Sequence, residues 1–507
     1  MRIYITNIMH MHDFKTSALS LIGSVSLIAA SQAATPPNVI IVLADDQGYG
    51  DVGFHGFDDI RTPNIDKLAK GGTSFAQGYV TASVCGPSRC GIMSGMHQQR
   101  LGYYGNGPLS VIPHSQQNFA EMMKELGYHT GMIGKWHLGE TEDQLPWNRG
   151  FDFYYGSPTG SHDYFKSSAN ADETRKAIFP VYRNGKIDTP IQERGDYLTE
   201  VYGDEAADFI NENKDRPFFL YVAHNAVHFP WQVHDKYLER LKDLPVHHEE
   251  RRFFAGMVLA LDDSVGAILD AVEKNGLSEN TLIFYLSDNG TPRGQGFKQP
   301  KQKERGTTTM SSPGDFNGFK GDTYEGGLRV PLVAYWPGTI PAGQVYPHPV
   351  VSFDMAPTAV ARSGMTKPSK GLPFDGVDLL PYITGEKPAN ERPHQNMFWR
   401  RDNDYAIRQG DWKLCWNSRS DQTIELYNLA EDPGERVDLV NKYPERAQQM
   451  QDAFDAWDSQ LAENVTGKVP ANRNVKYAEG KRTNVSQFNT QAAERKNRPQ
   501  PKKRKGK

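Results

Sequence analysis

The sequence predicts an α/β protein: a large, mostly parallel sheet sandwiched by helices, followed by a smaller C-terminal α+β domain with an antiparallel sheet. Three observations lead there. Apolar, β-branched runs recur at 38–44, 217–223 and 281–286 without polar alternation, the pattern of strands buried on both faces. Helical stripes lie between them, as right-handed crossovers require. One stripe is Phe119, Met122, Met123 and Leu126; a longer one runs Phe253, Phe254, Met257, Val258, Leu261, Val265, Ile268, Leu269 and Val272. From residue 396 the rhythm changes to short segments, 396–400, 405–408, 412–416 and 425–427, split by Asp-Asn, Gly-Asp and Ser-Asp turns. That is a small meander, on which a helix over 443–461 is expected to pack through Met450, Phe454, Trp457 and Leu461.

The 507 residues leave room for more than one domain. The expected division is a leader over 1–34, a large α/β domain over 35–390, the small domain over 391–464 and a polar tail over 465–507. In the leader, Lys15 precedes the apolar run Ala18 to Ala30, and Ser31-Gln32-Ala33 is a small-x-small cleavage site, so residues 1–33 read as a signal for export. The run is short for a membrane span, and no later segment reaches 18 apolar residues, so no membrane anchor is expected. Apolar residues are 38%, charged residues 23% and the net charge is -4, which gives no global attraction to nucleic acid. The last fourteen residues carry eight Lys or Arg and one Glu, a disordered basic tail by composition. With only Cys85, Cys90 and Cys415, the chain is not a disulfide scaffold, although Cys90 and Cys415 remain a possible pair. Oligomeric state leaves no mark on the sequence.

Taken in order, the apolar runs end in polar groups. The first stops at Asp45-Asp46-Gln47-Gly48-Tyr49-Gly50-Asp51. Two adjacent carboxylates repel unless a cation lies between them, and hard cations take oxygen ligands; a solvated turn is the alternative. Thr62-Pro63-Asn64 opens a short helix over 65–70, closed by Gly71-Gly72, and 73–80 reads as extended. It leads into Cys85-Gly86-Pro87-Ser88-Arg89, after which a helix would present its N-terminus to an anion. Cys85 there is either a small buried hydrophobe or a reacting group. The strand 129–133 is followed by Lys135 and His137, two apart and so on one face if extended. Residues 140–200 are irregular, and Phe151, Phe153, Tyr154, Tyr155 and Tyr164 form either loop packing or a wall for stacking sugars. The run 217–223 gives way to His224 and His228, and 281–286 to Asp288 and Asn289. A polar loop, 291–318, closes at Gly318 to Pro331 with Lys320 inside it; a strand over 332–335 and a helix starting near 353–358 follow.

Four strands thus deliver ionisable or metal-binding groups beyond their C-terminal ends, and in an open parallel sheet those ends share one edge, where ligands bind. The stretch Cys85 to Gly95 resembles the signature of formylglycine-dependent type I sulfatases, C-x-P-S-R followed by a hydrophobic residue and S/T-G. The resemblance extends through 44–51, 127–137, 217–230, 287–290, 321–331, 406–414 and 425–433. It implies an alkaline-phosphatase-like fold and a bacterial carbohydrate sulfatase, a sulfuric ester hydrolase that would be periplasmic. By the same resemblance a maturation system converts Cys85 to formylglycine. Asp45, Asp46, Asp288 and Asn289, with formylglycine at 85, would hold one Ca2+, and Arg89 would steady the aldehyde hydrate. Lys135 and Lys320 would bind sulfate oxygens, His228 would be the general acid and His137 the base. His224 is a further candidate for substrate contact. Gly86 departs from the pattern, standing where Ser, Thr or Ala is common. The substrate implied is a sulfated poly- or oligosaccharide. Two other readings compete: a phosphonate or phosphodiester hydrolase of the same superfamily, and a non-catalytic binder of sulfated glycans.

Overall fold

The computed structural model describes residues 36–107, 111–170, 178–243, 249–293, 310–418 and 423–465. The expected export signal, the basic tail and most of the polar loop 291–318 lie outside the described residues. In chain order the strands are β1 (Asn38–Ala44), β2 (Thr73–Phe75), β3 (Gly78–Tyr79), β4 (His129–Gly134), β5 (Phe153–Gly156), β6 (Tyr182–Arg183), β7 (Lys186–Ile187), β8 (Phe218–Ala223), β9 (Thr281–Ser287), β10 (Leu332–Tyr335), β11 (Gln344–Tyr346) and β12 (Val350–Val351). The C-terminal group is β13 (Asn396–Arg401), β14 (Asp404–Gln409), β15 (Trp412–Trp416) and β16 (Ile424–Asn428).

Ten strands form one sheet in the order β11-β2-β10-β9-β1-β8-β4-β5-β6-β7. Its centre, β9-β1-β8-β4-β5, is parallel, whereas β10 runs antiparallel to both β9 and β2. The β1 residues Val39 to Leu43 are fully buried, each contributing about 1.5–3 kcal/mol on burial, so the central strand is the fixed base of the site. Alternate residues feed opposite faces. Ile40 and Val42 pack with the helices Leu198–Asn213 and Glu249–Lys274. Val39, Ile41 and Leu43 pack with the helices Cys85–Ser94, Phe119–Glu125 and Met355–Ala361. Phe253, expected in the apolar stripe of the long helix, is 37% exposed and turns away from it. Phe151, Tyr154, Tyr155 and Tyr164 are buried in these two cores, so loop packing, not a stacking wall, accounts for them.

The register fixes where the site falls. Ala44 lies opposite Ser287, and Ala223 is level with both Leu43 and Gly134. The residues that follow the strands therefore emerge together along one edge, and backbone bonds from Asp288 N to Ala44 O and from Lys135 N to Ala223 O continue the pairing one step further.

The C-terminal sheet β13-β14-β15-β16 is antiparallel throughout. One face packs on β3, β12 and 324–330 through Trp399, Ala406, Cys415 and Tyr427, and the other lies under the helix Pro444–Asp458 through Ile407, Leu414, Met450 and Phe454. Cys90 and Cys415 lie in separate apolar clusters, and all three cysteines are free and buried. The pairing left open by the sequence does not form.

Candidate active site

The helix Cys85–Ser94 begins at Cys85 itself, ahead of the start expected after Arg89. Pro87 falls in the first turn, where its missing N–H costs no helical bond, and Gly95, at φ 68, ends the helix. Cys85 and Arg89 are one turn apart and so share a face; Arg89 is fully buried. Its Nε donates to Asp288 Oδ2 at 2.8 Å and its Nη1 to the Lys135 carbonyl at 2.8 Å. Lys135 donates to Asp45 Oδ2, and Arg89 Nη2 lies 3.4 Å from the same oxygen. On the neighbouring carboxylate, Lys320 Nζ reaches Asp46 Oδ1 at 2.5 Å, Asn289 Nδ2 donates to that oxygen at 2.7 Å, and His228 Nε2 stands 3.8 Å from Asp46 Oδ2. Three carboxylates thus face two lysines, an arginine and a histidine beside residue 85.

Lys135 and His137 do not meet through strand alternation, because β4 ends at Gly134 and His137 takes a left-handed φ of 58°. Its ring is held by close approach instead: a Cβ on Gly160 would lie 2.7 Å from His137 Nε2. Asp46, at φ 63°, is likewise left-handed, a conformation that concentrates at functional sites.

His224 is the one expected site residue that the structure does not bring in. It is fully buried, its Nε2 faces Ser264 Oγ at 3.2 Å on the helix Glu249–Lys274, and its ring packs near Tyr202. The segment from His224 to His228 is a turn and not a helix, so a spacing of four does not put the two rings on one face. The expectation of substrate contact at His224 is therefore withdrawn.

Two groups were not anticipated. Asn106 Nδ2 approaches Cys85 Sγ at 3.5 Å, and Asn106 Oδ1 accepts from Gly86 N at 3.1 Å. A Cβ at Gly86 would meet Tyr103 Oη at 2.4 Å and Asn106 Oδ1 at 2.8 Å, so the unusual glycine is what lets Asn106 close on residue 85. The other group is Asp51, fully buried and ion-paired with Arg251; its carboxylate also accepts from Gly48 N at 2.8 Å and Ser312 N at 2.9 Å. It ties the Asp45–Asp51 loop to the point where the chain returns towards Lys320. Asp51 lies in the family-like stretch 44–51 without a role assigned to it there, and nothing local marks Asn106 in the sequence.

The charges act on one another. Burial pushes the Cys85 thiol up, but Lys135, Lys320 and His228 outweigh it and leave it below its ordinary value. Burial opposes ionisation of Asp45, yet Lys135, His228, Arg89 and Lys320 hold its carboxyl low. Asp288 is pushed up by burial and by the charge of Asp45, as expected of two carboxylates in one site. Burial, then Lys135 and Arg89, drive His137 well below the usual imidazole range, which keeps it neutral.

The oxygens fit a hard cation. Asp45 Oδ1 and Asn289 Oδ1 are buried acceptors with no donor, and oxygens of Asp45 and Asp46 gather with His228 within 4.8 Å of one another. Oxygen donors of this kind suit Ca2+ or Mg2+, and a cation there would relieve the repulsion between the carboxylates.

A level strand edge, a buried cluster of acids and bases and a helix opening at residue 85 are the features expected of an alkaline-phosphatase-like hydrolase of anionic esters. The chain belongs to the sulfatase family, whose profile matches residues 37–365; a second profile, N-sulphoglucosamine sulphohydrolase, C-terminal, matches 317–463. It is 33% identical to the N-acetylgalactosamine-6-sulfatase of Canis lupus familiaris, over 84% of this chain and 80% of that one. It is 34% identical to the arylsulfatase of Hemicentrotus pulcherrimus, over 78% of this chain and 70% of the other. Among solved structures, Ps i-CgsB in complex with k-i-k-neocarrahexaose superposes with a TM-score of 0.74 at 32% identity, covering 88% of this chain and 98% of that one. The protein is a sulfuric ester hydrolase.

Proposed function

We propose that the protein removes sulfate from a sulfated oligo- or polysaccharide, with residue 85 matured to formylglycine and one Ca2+ held by Asp45, Asp46, Asp288 and Asn289. The observation that carries this reading is the convergence of Arg89, Lys135 and Lys320 on the carboxylates beside residue 85. Similarity to a carrageenan-oligosaccharide complex and to an N-acetylgalactosamine-6-sulfatase supports sugar as the substrate class.

When present, the hydrated aldehyde supplies two hydroxyls on one carbon, which no encoded side chain offers. The chain's own residues do the rest. Lys135 and Lys320 bind sulfate oxygens and neutralise the charge that develops as the S–O bond breaks. Arg89 and Asn106 fix the side chain of residue 85. His137, kept neutral, accepts a proton at a ring nitrogen. His228 donates one to the leaving sugar oxygen. Burial lowers the pKa of His228 against the pull of Asp45 and Asp46; an added sulfate charge would shift it back towards the protonated form.

The direct test is the mass of the peptide containing residue 85, made in a host with the maturation enzyme: about 18 Da below the thiol is expected for CH2–SH replaced by CHO, and an intact thiol in active protein would contradict the reading. His228→Ala should slow sugar sulfates by about 10²–10⁴-fold and aryl sulfates much less, because a phenolate leaves without a proton; equal losses on both would remove His228 from the acid role. Chelation should lower the melting temperature by several degrees, and Ca2+ at about a hundredfold over its Kd should restore about 2.7 kcal/mol. A melting curve indifferent to Ca2+ would count against the cation site.

A further inference from the structure

Beside residue 85 the structure has a cavity of about 170 Å³ lined by Val84, Gly105, Asn106, Arg401 and Asp402. Asn106 links it to the reacting position, touching Cys85 Sγ at 3.5 Å. Its opposite wall comes from the C-terminal sheet, at the tight turn between β13 and β14. We infer that this turn, through Arg401 and Asp402, forms the subsite for the sugar ring that carries the sulfate, so that the C-terminal sheet selects the substrate; the inference rests on the sugar-sulfatase reading above.

Three features support it. A cavity of about 150 Å³ accommodates a six-membered ring such as benzene, so about 170 Å³ takes the ring atoms of one sugar, with its outer substituents extending beyond it. The turn between β13 and β14 places Asp402 at φ 50°, a conformation that Asp tolerates. The carboxylate is placed against Gly105, whose Cβ, if present, would lie 3.5 Å from Asp402 Oδ1. The polar groups also match a hydroxylated ring. Arg401 is bound to Asp404 Oδ2 through Nη2 at 2.8 Å, while its Nε is buried with no acceptor. Asp402 supplies acceptors only, and a sugar diol offers both donors and acceptors. Arg401 is already paired with Asp404, and Asp402 adds a second carboxylate to the lining, so the pocket favours hydroxyls over a second sulfate. Gly86 belongs to the same device, because any side chain there would displace Asn106.

The test compares two substrates in each variant: 4-nitrophenyl sulfate, and whichever sulfated oligosaccharide the parent cleaves best from carrageenan, chondroitin sulfate, heparan sulfate and fucoidan. Asp402→Asn and Asp402→Gly both tolerate the left-handed turn, and Arg401→Gln keeps the length of the stem. The ratio of kcat/KM for the oligosaccharide to that for the aryl sulfate should fall about tenfold or more in each, with the loss in KM. A ratio unchanged in all three variants, whether both activities fall together or neither does, would overturn the subsite. A parent that cleaves no sulfated sugar would instead overturn the proposed function, and the subsite with it.

Discussion

Cys85→Ala is expected to reduce sulfate-ester turnover by about 10⁵-fold or more, the scale seen when a covalent nucleophile is removed, while leaving the fold and the binding of sulfate intact. The side chain is small and the charges around it are held by one another: Arg89 on Asp288 at 2.8 Å, Lys320 on Asp46 at 2.5 Å and Lys135 on Asp45. Lys135 and Lys320 should therefore still hold a sulfate ester, so affinity measured by calorimetry changes little while kcat collapses. Removing Sγ breaks the approach from Asn106 Nδ2, which is too weak for its absence to unfold the helix. Cys85→Ser separates two explanations: a hydroxyl nucleophile acting directly would retain much of the rate, whereas dependence on maturation of the cysteine predicts a loss close to that of Ala. Turnover within tenfold of the parent in Cys85→Ala would mean that the chemistry does not pass through residue 85.

The central fold was legible because burial on both faces writes itself as an unbroken apolar run. β1, β8 and β9 coincide with such runs, and their register brings Asp45 and Asp288 level. The edges were not legible. β6 and β7 are two residues each, and the direction of β10 is set by its neighbours β9 and β2 rather than by its own four residues. Within the site, the residues that follow strands directly could be read; those placed by tertiary closure could not. Asn106 reaches Cys85 across 21 positions, and only because position 86 is glycine. Arg251 reaches Asp51 across 200. His224 marks the limit of that rule: it follows β8 directly, yet its ring meets Ser264 on the helix Glu249–Lys274 rather than the site.

Lys413→Met should destabilise the protein by about 3–5 kcal/mol, the range for removing one partner of a buried ion pair, and a large fraction of a typical total of about 5–15 kcal/mol. Lys413, on β15, and Glu325, in the segment that follows Lys320, are both fully buried. The ammonium lies 2.8 Å from Glu325 Oε1 and 2.8 Å from Glu435 Oε1. Tyr79 donates to Glu325 Oε2 at 2.6 Å, and Arg408 donates to the Tyr79 hydroxyl at 2.5 Å. Methionine fills the volume but leaves two carboxylates facing each other without their shared cation. Glu325→Gln added to Lys413→Met should therefore recover part of the loss, whereas strict additivity would mean that the two side chains do not interact. The dependence on pH should also steepen between pH 7 and pH 5, where Glu325 of the parent adds no slope and only Glu435, pushed up to about 8 by burial and the charge of Glu325, favours the lower pH. In the parent, burial opposes the charge on Glu325, but Lys413, Arg329 and Arg408 hold its carboxyl below its ordinary value of 4.5. Its contribution is then present above pH 4.5 and lost as pH falls through the lower, folded value. Without Lys413 burial and repulsion from Glu435 favour the protonated acid, so the variant should gain on the parent as pH is lowered from 7 towards 5. Denaturant midpoints at the two pH values measure this directly, and a difference between variant and parent that is independent of pH would show that the cost is one of packing rather than charge. Because the same cluster joins the C-terminal sheet to the chain leading from Lys320, loosening it should also raise KM for sugar sulfates.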